Sequence, residues 1–414
     1  MGERFDVAVI GAGMVGLATA RTVHARRPEL SLVVLEKESK VAAHQSGHNS
    51  GVVHSGVYYA PGSLKARLCL EGRAQLIEFA AREHLRCDRI GKVIVAARAE
   101  ELPALATIEQ RAHANGVASV RRLTPEELRS RLPEIVGVAA VEVPSAAIID
   151  YREVAHRLEE QLTSSGGTTR LSSGVRSAAL RGGGWTLDTP AGEVDAGFVI
   201  NCAGLESDLV AAAMGVEPPV TIVPFRGDFY HLSERLRPRV PCLVYPVPDP
   251  DVPFLGVHLT PTVGGELLAG PNAALALDRE GYARGQWSLE QLGRMALFRG
   301  TIGLARRYGM YAAREWLSSW SRAEFHAAVQ TLWPAVEESD LVGRSSGVRA
   351  QAVRPDGSLE DDFVLVPGPR SLHVLNAPSP AATAAFAIGG RVADEAGFRL
   401  GPASATSPGP GERS

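Results

Sequence analysis

Lysine is nearly missing from this chain. Among 43 basic residues only Lys37, Lys40, Lys65 and Lys92 are lysines, and arginine supplies the rest. With alanine and glycine so abundant, this points to a GC-rich genome. A formal net charge of -3 gives no reason to expect nucleic acid as a partner, because phosphate backbones are bound through excess positive charge. Cysteine is also scarce. Cys69, Cys87, Cys202 and Cys242 lie far apart with no Cys-x-x-Cys pair, which argues against a disulfide framework and against a metal site. No apolar run approaches the ~20 residues that cross a bilayer. No basic-then-apolar leader precedes the first strand-like run, so the sequence predicts a cytoplasmic protein without a signal peptide. Peripheral contact with the inner face of the cell membrane stays open as a second option.

What is present is concentrated at the start. Asp6-Val7-Ala8-Val9-Ile10 reads as a buried strand and runs into Gly11-Ala12-Gly13-Met14-Val15-Gly16. A helix-period segment to about Arg26 follows, then Leu32-Val33-Val34-Leu35, ending in Glu36. Strand, glycine turn, helix, strand and acid together form a dinucleotide-binding signature. Gly11 permits the tight turn, Gly13 lets a pyrophosphate approach the backbone, and Gly16 lets helix and strand pack closely. Glu36 stands where a carboxylate accepts hydrogen bonds from ribose hydroxyls, which disfavours NADP. This stretch alone does not separate NAD from FAD.

At 414 residues the chain has room for two domains. The stretch from Ala43 to Tyr59 holds three histidines, among them His48 and His54, and reads as a functional loop. Helices are expected over about 63–83, 100–115, 150–164 and 381–396, and from Thr124, where Thr-Pro-Glu-Glu forms a capping signal. Gly192–Asp195 reads as a short antiparallel strand and Gly197–Gly204 as a separate buried strand, where the nucleotide fold resumes. Ser379 is a good N-cap with Pro380 at the first helical position. Residues 220–276 alternate like a larger sheet. Residues 288–333 are helical and mix aromatics (Phe298, Trp316, Trp320, Trp333) with arginines; packing on the sheet is the preferred reading, and a lipid- or quinone-facing surface is the alternative.

Several motifs in chain order carry a resemblance. They are His48-Asn49-Ser50-Gly51-Val52-Val53-His54-Ser55-Gly56-Val57-Tyr58-Tyr59, Pro61-Gly62-Ser63-Leu64-Lys65, Pro224-Phe225-Arg226-Gly227, Tyr245-Pro246-Val247-Pro248-Asp249-Pro250, Phe254-Leu255-Gly256-Val257-His258-Leu259-Thr260, Gly270-Pro271-Asn272-Ala273, Gly347-Val348-Arg349-Ala350-Gln351 and Asn376-Ala377-Pro378-Ser379-Pro380-Ala381-Ala382-Thr383. The chain resembles the FAD-dependent L-2-hydroxyglutarate oxidase/dehydrogenase family of the D-amino-acid-oxidase/glycine-oxidase superfamily.

The resemblance implies an α/β (α+β overall) protein: a Rossmann-type FAD-binding domain with an inserted, mainly antiparallel-sheet substrate domain carrying helices. The FAD-binding domain would comprise 1–85, 150–215 and 340–400, the substrate domain 86–149 and 216–339, with 401–414 a disordered tail. FAD would be held by Gly11, Gly13, Met14, Gly16, Glu36, Lys37, His48, Asn49, Ser50, Gly51, Val175, Ala203, Gly204, Ser379, Pro380, Ala381 and Ala382. The partners implied are a small dicarboxylate or 2-hydroxy acid and, as electron acceptor, O2 or a quinone.

Oxidising a 2-hydroxy acid needs a base for the hydroxyl proton and cations for the carboxylates. His54, with an ordinary pKa of about 6.5, is the chosen base. His48 and His258 are alternatives, and His258 is also placed against substrate. By the resemblance Arg349 holds the α-carboxylate; Arg226 is a weaker choice, open to being a structural ion pair. Tyr59 and Tyr245 are candidate hydroxyl donors. The rival readings are an amine or amino-acid oxidase on the same scaffold and a non-catalytic flavin-binding protein.

Overall fold

The structure is a computed structural model and describes residues 2–249 and 255–400. The tail 401–414, together with Pro250 and Phe254 of the quoted motifs, lies outside the described residues. Two large sheets carry the chain. The first has eight strands, ordered Ser177–Arg181, Gly184–Thr189, Gly192–Asn201, Glu3–Ile10, Leu32–Leu35, Thr168–Arg170, with Ser371–Asn376 and Val364–Gly368 joined through Gly192–Asn201. Glu3–Ile10 runs parallel to both neighbours, Val7 standing opposite Phe198 on one side and Leu32 on the other.

Strand alternation divides the core of this sheet. Val7 and Val9 face the helices Met14–Arg26, Leu64–Arg82, Tyr151–Ser164 and Ala381–Leu400, whereas Ala8 and Ile10 face Trp185 and Leu187. A strand apolar on both faces shows no alternation in sequence, which is why Asp6–Ile10 reads as an unbroken apolar run. Gly16 is what lets the first helix sit on its strand: a Cβ there would lie 1.9 Å from the Gly11 carbonyl oxygen.

The second sheet has nine strands and is mainly antiparallel. Its order is Ala274–Leu275, Thr221–Leu232, Leu267–Gly270, His258–Pro261, Leu243–Pro246, Lys92–Ala96, Ala139–Val143, Arg121–Leu123, and Leu341–Val353 pairs with Thr221–Leu232. The one junction of parallel sense on that path joins Leu243–Pro246 to Lys92–Ala96. A three-stranded sheet, Val52–Val53, Ala147–Ile149 and Cys87–Asp88, lies apart from both.

The helix at Pro125–Arg131 starts as expected. Thr124 accepts the Glu127 N–H at 3.2 Å, and Glu127 accepts the Thr124 N–H at 2.8 Å. Three expectations need correction. Leu341–Val353, placed with the nucleotide domain, belongs to the second sheet, because from Thr221 to Leu232 every residue finds its ladder partner there. Gly192–Asn201 is one strand rather than two, since Gly197 continues the pairing: a Cβ would meet the Asp6 carbonyl at 2.9 Å. The last helix begins at Ala381, so Pro380 takes the cap position and its carbonyl accepts the Ala384 N–H at 2.9 Å.

Two glycine-to-alanine changes in helices should differ in sign. Gly16→Ala forces an overlap with backbone and should lower thermal stability by more than the ~1–3 kcal/mol of ordinary overpacking. Gly309→Ala lies within Arg299–Trp320 with nothing within 4 Å of the new methyl, and should be neutral or stabilise by up to about 1 kcal/mol. Differential scanning calorimetry of both variants checks this; equal shifts would refute it.

Candidate active site

A cavity of about 1110 Å³ runs from the glycine turn to the second sheet. It is lined at one end by Gly11, Gly13, Met14, Gly16, Glu36, Lys37, Val175, Ala203 and Gly204. The Glu36 carboxylate is buried; one oxygen accepts the Ala12 N–H at 2.7 Å and the other the Glu38 N–H at 3.0 Å. The Met14 N–H donates to Ser46 Oγ at 2.9 Å, so a side chain from the loop sits at the helix N-terminus where an anion is favoured.

His48, Asn49 and Ser50 line the middle. His48 Nδ1 lies 3.1 Å from the Ser346 carbonyl and its ring rests on Tyr282, centroids 4.2 Å apart. Ser379, Pro380, Ala381 and Ala382 bring the N-terminus of the last helix to the same wall. Gly51 does not line the cavity. Its φ of +69° and the Ile149 carbonyl, 2.6 Å from where a Cβ would stand, give it a turn-forming role instead.

The far end brings two cations, Lys65 and Arg349, to one wall, with Asp361 coupled to Lys65. His54, Tyr58, Tyr59, Lys65, Tyr245, His258 and Arg349 line it. The His54 backbone is tied to the last helix: its N–H donates to Thr383 Oγ1 at 3.2 Å, and that oxygen lies 2.8 Å from the Tyr151 hydroxyl. Val244 pairs with Leu259, which sets Tyr245 opposite His258, and their rings stack with centroids 3.9 Å apart. His258 Nδ1 is 2.9 Å from the Gly256 carbonyl, so in the neutral ring Nδ1 carries the proton and Nε2 is an acceptor.

Electrostatics depart from the expectation of an ordinary histidine. Burial, then the charges of Lys92, His258, Lys65 and Arg349, pull His54 down to about 3. His258 falls to about 3 chiefly through burial as well, with Lys92 and Arg349 adding to it. Burial pushes the Tyr58, Tyr59 and Tyr245 hydroxyls upward, so all three remain neutral donors.

Arg226 is not part of this end. Its guanidinium forks onto Asp228, at 3.0 and 3.3 Å, and donates to the Ala283 carbonyl at 3.0 Å. Residues two apart on a strand share a face, both are buried, and Asp228, which Arg284 also approaches at 3.5 Å, holds Arg226 away from the cavity. Lys37 lines the cavity, but its ammonium bridges Glu38 and Glu280. His44 joins the same cluster, Nε2 to Glu38 at 2.9 Å. Glu38, His44 and Glu280 come close enough to hold a cation, yet Lys37 already supplies that charge.

Sequence reasoning did not assign roles to Lys65, Tyr58, Ser46 or Thr383. Lysine scarcity was the signal for the first. In a chain that defaults to arginine, a lysine beside the Gly62-Ser63-Leu64 helix start stands out.

The FAD dependent oxidoreductase (DAO) family model matches residues 6–395. The chain belongs to this family. It is 42% identical over 391 residues to an L-2-hydroxyglutarate dehydrogenase of Indibacter alkaliphilus, covering 94% of this chain and 98% of the relative. It is 39% identical to the Escherichia coli K12 enzyme of that name (98% and 96% covered) and 39% to the mitochondrial one of Homo sapiens (94% and 88%). Among solved structures it is similar to L-alpha-glycerophosphate oxidase from Mycoplasma pneumoniae with FAD bound, at a TM-score of 0.77 and 20% identity, covering 96% of this chain and 94% of that one. Glycine oxidase from Geobacillus kaustophilus gives a TM-score of 0.72 at 19% identity, with 96% and 95% covered.

FAD fits the cavity end built by this oxidoreductase. The Gly13 backbone faces the cavity at the mouth of a helix whose first turn carries no acidic side chain, and the buried Glu36 carboxylate borders the same space.

Histidines kept neutral by lost hydration set a pH dependence: His258 and His373 are buried, and His54 is half-buried on the cavity wall. The folded state keeps His54 and His258 unprotonated down to about 3, while the unfolded chain protonates near its ordinary value of ~6.5. The unfolded state therefore binds more protons between those limits, and stability rises with pH across that window. Lowering pH from 6.5 to 5 should cost about 2 kcal/mol per histidine in the FAD-free protein. Urea unfolding across this range checks it, and His258→Asn should flatten the slope. A pH-independent midpoint would refute the shifts.

Proposed function

We propose that this chain oxidises L-2-hydroxyglutarate, or a closely similar 2-hydroxy dicarboxylate, to the 2-oxo acid. The observation that carries the reading is the gathering of Arg349, Lys65, His54 and His258 at one end of the dinucleotide cavity. Cations there suit a substrate with two carboxylates, and the names of the full-length relatives choose among such acids.

Bound FAD supplies the acceptor for the hydride leaving C2. Arg349 forks onto the carboxylate next to the reacting carbon and so fixes which face of C2 is presented. His54 accepts the hydroxyl proton; it is neutral at pH 7, and a bound dianion opposes the charges that depress it. His258, with Nε2 left as acceptor, is the second candidate for that proton. Tyr59 and Tyr245 are neutral hydroxyls able to orient the substrate oxygen. The N-terminus of Ala381–Leu400 gives positive potential on the cofactor side.

Anaerobic addition of L-2-hydroxyglutarate should bleach the flavin band near about 450 nm, with D-2-hydroxyglutarate, glycine and glycerol 3-phosphate inert. His54→Ala should stay yellow and be reduced about 10²–10⁴-fold more slowly. Reduction by glycine instead would favour the amine-oxidase reading. A yellow protein that no small acid bleaches would favour a binding protein without catalysis.

For the electron acceptor we favour a quinone at a membrane surface. The helices Leu289–Leu297 and Arg299–Trp320 are less packed than the sequence suggests: Phe325 and Trp333 are core, but Leu297 is 87% and Met310 92% exposed. Ile302, Met310, Leu317, Trp316 and Trp320 recur at helical spacing, which sets them on one stripe beside arginines. No described helix is long and apolar enough to cross a membrane. The protein should co-sediment with anionic vesicles, and the double change Met310→Glu, Leu317→Glu should release it without loss of flavin reduction. Equal sedimentation of the variant would remove this surface from the reading.

A further inference from the structure

Lys92 opens the strand Lys92–Ala96 and is 1% exposed. Among the described residues its ammonium nitrogen has no hydrogen-bond partner. It lies 3.9 Å from the ring centroid of Tyr245 and 5.2 Å from that of Tyr58, both of which line the cavity. Lys92 itself does not line it. Strand register explains the placement. Tyr245 stands opposite Ile94, and Ile94 shares a face with Lys92, so the lysine and the tyrosine project to the same side. Tyr245 in turn stacks on His258.

A fully buried ammonium with only ring faces around it is costly. Cation–π contact returns ~2 kcal/mol when desolvated, well short of losing its water. Such a group calls for an anion, and among the described residues no carboxylate is set against it: burial lowers its affinity for a proton, and the Cys69 thiol nearby, itself pushed up to about 12 by burial, is neutral. The other titratable groups coupled to it or in contact with it are His54 and Tyr58 from the loop after Val53, Tyr245 and His258 from neighbouring strands; across the sheet its partner is the apolar Val143.

We propose that Lys92 is a positioning residue that takes up a proton when a dicarboxylate enters the cationic end, supplying from behind Tyr58 and Tyr245 the charge that completes the site. The proposal rests on the substrate reading above. A proton from solvent joins the Lys92 amine, and no other bond changes. In the empty site Lys92 is held at about 7, so at pH 8 it is mostly neutral and one small upward shift charges it. His54 and His258, near 3, would need a far larger shift to take up the same proton.

The test is the affinity of the yellow holoenzyme for 2-oxoglutarate, followed by flavin absorbance from pH 6.5 to 9. Proton uptake at Lys92 makes the Kd rise about tenfold per pH unit above its empty-site value. Lys92→Met should lose at least about tenfold in affinity at pH 7 and show a flat profile. Lys92→Arg, permanently charged, should also be flat, and it keeps the test alive if the methionine variant does not fold. A pH-independent Kd in the wild type, or a wild-type slope in either variant, would overturn the role of Lys92 alone. A wild type that neither binds 2-oxoglutarate nor is bleached by L-2-hydroxyglutarate would overturn the substrate reading, and this proposal with it.

Discussion

Withholding water from basic side chains is the constraint on which the rest of this structure turns. Lys92, His258 and His54 sit at the edge of one cavity end and give up hydration to be there. Loss of water acts more strongly on all three than any neighbouring charge, and it favours the neutral form of each. Two ordinary solutions are visible elsewhere in the fold. Arg279 is neutralised by Asp208 in a buried pair, and Arg226 forks onto Asp228, which Arg284 also approaches at 3.5 Å. At the cavity end Lys92 is different: among the described residues its ammonium nitrogen has no hydrogen-bond partner, and ring faces stand where those pairs have a carboxylate.

The two sheets make that arrangement possible by dividing the work. The parallel sheet fixes a glycine turn, a buried carboxylate and a helix N-terminus, all from local sequence within Glu3–Glu36. The antiparallel sheet brings Lys92, Tyr245, His258 and Arg349 together from strands far apart in sequence. Between them runs a short hydrogen-bonded chain: Val52 carbonyl, Tyr151 hydroxyl, Thr383 hydroxyl and His54 amide. It couples the His54 backbone to the first turn of the last helix, so the base candidate and the cofactor wall are positioned by one network.

This division also decides what the sequence makes legible. Gly11, Gly16 and Glu36 are readable because their meaning depends on neighbours within one supersecondary unit. The capping box at Thr124 is readable for the same reason. Arg226 and Arg349 look alike in sequence, each inside a motif with glycine. Only the strand places Asp228 on the same face as Arg226 and Arg349 on the cavity. Lys92 was visible only as a rare residue type, since burial behind two tyrosines is a property of the assembled sheet. Gly51 sat inside a matching motif, yet its positive φ and the Ile149 carbonyl explain it without any ligand.

The depressed histidine needs a physical account if His54 is the proposed base. A group near 3 is always neutral at pH 7 but holds a proton poorly, which is a weak position for general-base catalysis. Burial is the largest cause of the depression and a substrate does not relieve it; the part a substrate acts on is the field of the neighbouring charges. These are the charges of Lys92, His258, Lys65 and Arg349, and a dicarboxylate seated among them would cancel part of that field. A monocarboxylate would cancel less and leave the histidine a poorer base. The remote carboxylate would then raise the rate at the reacting carbon as well as the affinity, because its charge is felt where the proton is taken. Selectivity for a diacid would follow from electrostatics at the base, in addition to any direct contact with the second carboxylate.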